Sequence, residues 1–244
     1  LNFLEKSLNN LYVIYIMIDY YKKYLKYKKK YLQLKKQLGG NKYNDNDIII
    51  GLNGYINPKY ENDQDYILKA IKKNINVLLY ISYDLKRNKD FFKKVVQIDG
   101  SGLRYGDRYI KNDRDIVLDA VKNNGYAISF AGEKLKNDSE VIMAAVEQNG
   151  KVLKIFPRAR IININRDIVL AAVTQNGEAL YWVQKLTNFF ESLNKDKEIV
   201  LAAVENYGLA LAFAGEELKN DKDIVLAAVK NNGLALEYAG EELK

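Results

Sequence analysis

The sequence predicts an all-α fold: an α-solenoid-like array of about seven helical-hairpin repeats, preceded by one amphipathic basic helix. Three observations carry this. Five segments align on one glycine: DRDIVLDAVKNNG ending at Gly125, DSEVIMAAVEQNG at Gly150, NRDIVLAAVTQNG at Gly177, DKEIVLAAVENYG at Gly208 and DKDIVLAAVKNNG at Gly233. Two weaker copies precede them, NKDFFKKVVQIDG ending at Gly100 and DQDYILKAIKKNI ending at Ile75, so the spacings run 25, 25, 25, 27, 31 and 25 residues. The third observation is the alternating three- and four-residue spacing of apolar side chains before residue 40.

Each copy reads as two helices. In the last, Asn220 or Asp221 caps the first helix, Asp221 and Asp223 place negative charge in its first turn, and Ile224 to Val229 form its body. Gly233 is expected to stop it in the left-handed conformation that glycine adopts without penalty. Gly125, Gly150, Gly177 and Gly208 are assigned the same role. A shorter helix follows as LALEYAG, and the turn EELK leads back to the next cap.

The IVLAAV body is apolar nearly all round, so both of its sides need cover. The paired alanines, Ala144 with Ala145, Ala171 with Ala172, Ala202 with Ala203 and Ala227 with Ala228, permit close helix approach. Burying an aliphatic side chain is worth about 1.5 to 3 kcal/mol, against about 1 to 2 kcal/mol per residue for ordering backbone. One hairpin alone therefore does not stay folded, and a stack does.

The motif D-x-[DE]-[IV]-V-L-x-A-V-x-x-N-G-x-A-L-x-x-A-x-x-x-L-K resembles a tandem repeat family of unknown function found in giant DNA viruses of the Mimivirus type and in some intracellular bacteria. The segment DYYKKYLKYKKKYLQLKKQLGG, from Asp19 to Gly40, is similar to the amino-terminal stretch of many Mimivirus-type proteins. The resemblance implies origin and fold, and brings no activity or catalytic residues. Copies one and two depart from the pattern, lacking the Ala-Val pair or the terminal glycine.

Domain organisation follows: residues 1–40 a Lys/Tyr-rich helix, 41–61 a polar linker or eroded repeat, 62–244 the array. In the head, Met17, Tyr20, Tyr24, Tyr27, Tyr31, Leu34 and Leu38 form a heptad stripe. Eight lysines between Lys22 and Lys36 face no acidic residue among them. Two readings remain open. The stripe packs on a neighbour or pairs as a short coiled coil, or the lysines, Lys22, Lys23, Lys26, Lys29 and Lys30 among them, contact nucleic acid phosphate or an anionic membrane. A third use is as an address trimmed near Gly39 and Gly40. Met17 is expected to be the natural start, with residues 1–16 an upstream extension.

Cysteine and histidine are absent, which excludes disulfides, thiolate and imidazole metal sites, and every His- or Cys-based catalytic arrangement. No catalytic residue, metal site or cofactor is assigned, and the chain is read as non-enzymatic. The abundance of Lys, Asn, Ile and Tyr fits an AT-rich coding sequence. The net charge of +7 lies wholly in residues 1–40, which leaves residues 41–244 neutral. No apolar run reaches the 18 or so residues that span a bilayer, and no secretory signal is read, so the expected location is the virion or the host cytoplasm.

Asp63 with Asp65, Asp113 with Asp115 and Asp221 with Asp223 recur at helix starts without the rest of a cation loop, so they are read as caps. Function is expected where the period breaks. Lys151, Lys154, Arg158 and Arg160 flank Pro157 and offer partner or phosphate contacts; Trp182, Phe189 and Phe190 either fill a local core gap or serve as docking aromatics. The last hairpin is as apolar as interior ones, so it is expected to self-associate, meet a partner, or mark the edge of a truncated chain.

Overall fold

The structure is a computed structural model. It describes residues 56, 60–156, 165–186 and 193–244, all within one compact unit, Gly51–Lys244. The described residues form an all-α array of seven repeats, and no strand occurs among them.

The long helices of repeats one to seven are Gln64–Ile71, Lys89–Ile98, Arg114–Asn123, Ser139–Gln148, Arg166–Gln175, Lys197–Asn206 and Lys222–Asn231. Each begins at an Asp or Asn whose side chain accepts backbone N–H groups of the first turn. Asp113 takes the N–H of Ile116, and Asp221 those of Asp223 and Ile224. The Asp-x-Asp pairs thus open helices as expected, with Asp221, not Asn220, as the cap of repeat seven.

The stop differs from expectation. Each of these helices from repeat two onward ends on an extended residue one before the glycine. Asn124, Asn149, Asn176 and Asn232 have φ of −146°, −156°, −153° and −150°, and Tyr207 takes the place in repeat six. The Asn124 N–H closes the helix on the carbonyl of Ala120, while its side chain accepts the N–H of Tyr126 and so caps a second, 3-10 helix, Gly125–Phe130. Gly125, Gly150, Gly177, Gly208 and Gly233 are therefore not left-handed stops. None has a φ in the left-handed region.

What those positions need is the missing Cβ. A Cβ on Gly125 would lie 2.5 Å from the backbone carbonyl oxygen of Ala145 in the next repeat, and one on Gly208 equally close to that of Ala228. Gly100, Gly150 and Gly177 sit closer still to Ala120, Ala172 and Ala203. Gly233 has nothing within 4 Å. The same glycines donate their N–H to an amide side chain at the end of the following long helix: Gly100 to Asn123 (2.8 Å), Gly125 to Gln148 (2.7 Å), Gly150 to Gln175 (2.6 Å), Gly177 to Asn206 (2.8 Å) and Gly208 to Asn231 (2.7 Å). Four of these amides reach back as donors, for instance Asn123 to the carbonyl of Gln97 and Asn231 to that of Glu205. Four of these five joints are two-way amide clamps, Gln148 acting as acceptor in the other, and all five close on a residue without a side chain.

The first joint is built otherwise. Ile75 replaces the glycine and Ile98 the amide, while Gly102 in repeat two lies where a Cβ would meet Val95 Cγ1 at 2.5 Å.

After the 3-10 helix a one-turn helix closes the repeat: Tyr83–Arg87, Arg108–Lys111, Glu133–Lys136 and Glu216–Lys219, with a 3-10 turn Glu241–Leu243 in repeat seven. The segment expected to be a turn is thus a third helical side. One backbone hydrogen bond joins successive short helices, from Asp107 to the carbonyl of Lys86, Gly132 to Lys111, and Gly240 to Lys219. Repeat five differs because Val183 and Gln184 stand where repeats three, six and seven have Ala-Gly. With nothing to break it, the segment continues as an eight-residue helix, Ala179–Leu186.

The core is aliphatic and continuous. Ile116, Val117, Ala120 and Val121 are fully buried, as are Ile199, Val200, Ala203 and Val204 at the same places in repeat six. No polar or charged residue is buried among the described residues, so any chemistry they offer lies on the surface.

A ladder of ion pairs runs along the starts of the long helices. The first helical residue pairs with the cap and the second helical residue of the next repeat: Lys89 with Asp113 (2.6 Å), Arg114 with Asp138 (3.4 Å) and Glu140, Arg166 with Asp196 (2.7 Å) and Glu198, and Lys197 with Asp221 (2.7 Å) and Asp223 (3.4 Å). Ser139 interrupts it and leaves Asp167 without a cation among the described residues. Ser139→Arg should complete the missing rung and raise stability by about 0.5 kcal/mol, the scale of exposed ion pairs. Urea titration of the two proteins at low salt measures the gain, and added salt should reduce it.

Candidate interaction surface

Three sides per repeat give the array three long faces, and the constant residues occupy the joints. The short-helix face varies most. Repeats one to three present Lys86 and Arg87, Arg108 and Lys111, and Lys134 and Lys136, against Asp84, Asp107 and Glu133. Repeats six and seven present Glu216 and Glu217 with Lys219, then Glu241 and Glu242 with Lys244. One face therefore changes from basic to acidic along its length.

The basic part is interleaved with rings. The Arg87 guanidinium lies 5.4 Å from the centroid of Tyr83 and 4.6 Å from that of Tyr109, and pairs with Asp107 at 3.3 Å. Tyr83 and Tyr109 are 66% and 63% exposed, which leaves their outer faces to solvent. Arg104, on the adjoining 3-10 helix, sits 5.3 Å from Tyr105 and 5.4 Å from Phe130 of the next repeat. The Lys111 ammonium is held below the usual lysine range, chiefly by partial burial and further by the charges of Arg104 and Lys136, with Asp107 opposing. Lys136 itself is paired with Glu133 at 3.1 Å.

The residues expected from sequence fall elsewhere. Lys151 pairs with Glu178 of repeat five at 2.5 Å, and Lys154 lies 5.1 Å over Tyr126 of repeat three, so both join neighbouring repeats. Trp182 is half-buried with its ring edge-on to Tyr181 (4.8 Å); Tyr181 in turn meets Phe213 of repeat six at 5.0 Å. Lys22, Lys23, Lys26, Lys29, Lys30, Arg158, Arg160, Phe189 and Phe190 lie outside the described residues, as do Met17 and the heptad stripe. On the last repeat, Leu226 and Leu234 are 67% and 70% exposed, whereas at the place of Leu226 Leu118 is buried and Leu201 half-buried. No described helix is long and apolar enough to cross a membrane.

The basic aromatic patch was missed because overall charge was weighed by segment. Its signal lay in the tails of the repeats, YDLKRN, RYIKND and EKLKND against EELKND, once these are set in register.

The ion ladder gives a pH dependence. The Asp113 carboxyl is pushed up by partial burial, but the hydrogen bonds from Lys89 and the Ile116 N–H outweigh this and hold it below the usual range. Arg166 holds Asp196 low, and Lys197 holds Asp221 low, each aided by cap N–H groups and opposed by burial. With pKa values lower folded than unfolded, these carboxylates bind protons more readily in the unfolded chain, so stability rises with pH. Their contribution is complete above the unfolded value of about 3.9 and disappears as pH falls below it through the folded values. Thermal melts should be flat from neutrality down to that region and then drop. The drop should be shallower when Arg166 is replaced by Met.

The profile of a domain of unknown function, DUF4116, matches residues 63–111, 88–135, 113–158 and 196–244, more than half of the chain. The chain belongs to the DUF4116 family. Each match spans two successive repeats of the structure, and 159–195, where the spacing departs from 25 residues, is left unmatched. No curated protein and no solved structure matches the chain.

Proposed function

We propose that this DUF4116 array is a non-enzymatic interaction or scaffolding protein. The observation behind this reading is the division of labour along the repeats. Recurrent Asp, Gly, Asn and Gln residues are used up in caps and joints, while the short-helix face varies in charge and aromatic content. A stack of repeats with a patterned face is what a macromolecular partner reads. The resemblance of the repeat and of the head to Mimivirus-type sequences supports the reading of a giant-virus protein that acts in the virion or the infected cell's cytoplasm. The exposed Leu226 and Leu234 offer a surface for self-association or a protein partner.

The alternative reading puts the activity in the head, where Lys22, Lys23, Lys26, Lys29 and Lys30 would hold nucleic acid or an anionic membrane and the array would be a spacer. Affinity capture from infected cells with the full chain, and with those five lysines changed to glutamate, separates the two. Partners retained by the variant support the array; loss of all partners together with loss of binding to anionic vesicles and DNA supports the head.

A further inference from the structure

We infer that the short-helix face of repeats one to three is a docking surface for a single-stranded nucleic acid. This rests on the interaction-module reading and names the partner of that face. Strand binding without sequence preference needs two things together, cations along a track for phosphates and exposed ring faces for bases. Among the described residues both occur together on this part of the short-helix face. Arg104, Arg108, Lys111 and Lys134 have no acidic partner within ion-pair distance among the described residues.

Tyr83 and Tyr109 supply the stacking faces. They come from successive repeats, and Arg87 lies against both, which fixes the rings while its remaining guanidinium N–H groups stay available beside the Asp107 pair. An acidic peptide would answer the cations but leave two largely exposed rings unused. A duplex shields its base faces from such rings. Neighbouring helices pack about 8 to 10 Å apart, so three rows offer a track for a short run of nucleotides. In repeats six and seven the positions of Arg108 and Tyr109 are glutamates, Glu216 with Glu217 and Glu241 with Glu242, and Lys219 and Lys244 are paired to Glu216 and Glu241, as Lys136 is to Glu133 in repeat three. The patch is a local addition to the repeat, not a by-product of it.

The test uses the full chain and a fluorescein-labelled oligothymidylate in anisotropy titrations over a range of salt. Tyr83→Ala with Tyr109→Ala, both at exposed positions, should weaken binding by about tenfold or more. Arg104→Glu with Arg108→Glu should weaken it too and lower the slope of log affinity against log salt by about 2. The lysines of the head are the same in every protein, so they contribute equally. Inorganic polyphosphate, which has no bases, should lose affinity with the arginine pair but not with the tyrosine pair. Affinity within twofold of the parent for the tyrosine variant, with an unchanged melting curve, overturns the proposal. So does an equal loss for polyphosphate. In either case partner capture by the array would still stand or fall separately.

Discussion

Gly125→Ala is expected to destabilise the array by about 3 kcal/mol, at the upper end of what overpacking costs, while Gly233→Ala leaves it unchanged or stabilises it by about 0.5 kcal/mol. The two glycines follow the same Asn and open the same 3-10 helix, so any argument from local conformation gives them equal values. The joint separates them. A methyl on Gly125 meets the Ala145 carbonyl oxygen at 2.5 Å and Val152 Cγ2 at 3.0 Å, and a backbone carbonyl inside a helix cannot yield without parting two repeats. Gly233 faces open space, and its φ is not in the left-handed region, so alanine there only restricts the unfolded chain. Guanidinium unfolding of both variants measures the difference. Equal losses would restore the left-handed stop and remove the joint from the account.

The glycine shows where sequence reasoning reaches and where it ends. Its period identified the array, because a residue recurring at 25-residue spacing marks one place in a repeating structure. Its role was misassigned, because Asn-Gly after a helix has a familiar local meaning, and the nearest atom to the absent Cβ belongs to a residue 20 positions later, in the next repeat. The aspartates read correctly for the opposite reason. Asp113 caps the N–H of Ile116 three residues on, within the window that local patterns describe. Its second partner, Lys89, is in the preceding repeat and was not anticipated. The surface follows the same rule: Arg87 and Tyr109 are 22 residues apart, and only the stacking of repeats brings guanidinium and ring together.

The amide at the end of each long helix carries the second large effect. Asn123→Ala should cost about 2 kcal/mol, because it strips the partner from the N–H of buried Gly100 while the carbonyl of Gln97 loses a donor. Asn123→Gln should stay within about 0.5 kcal/mol of the parent, the scale of a change that preserves its interactions, since Gln148 and Gln175 make the same bond to Gly125 and Gly150. Asn123→Asp is the discriminating variant. It keeps the acceptor for Gly100 and loses the donor to Gln97, so its stability should fall between the other two. Hydrogen exchange of the Gly100 amide gives a local reading independent of global unfolding: protection should drop in the alanine variant and persist in the glutamine one. The first joint is chemically different: Ile75 stands for the glycine and Ile98 for the amide, so the side-chain half of the clamp is absent and two branched aliphatic side chains occupy its place. Alanine at 123 supplies neither the amide nor an aliphatic side chain of that size, which is why it is the costly change.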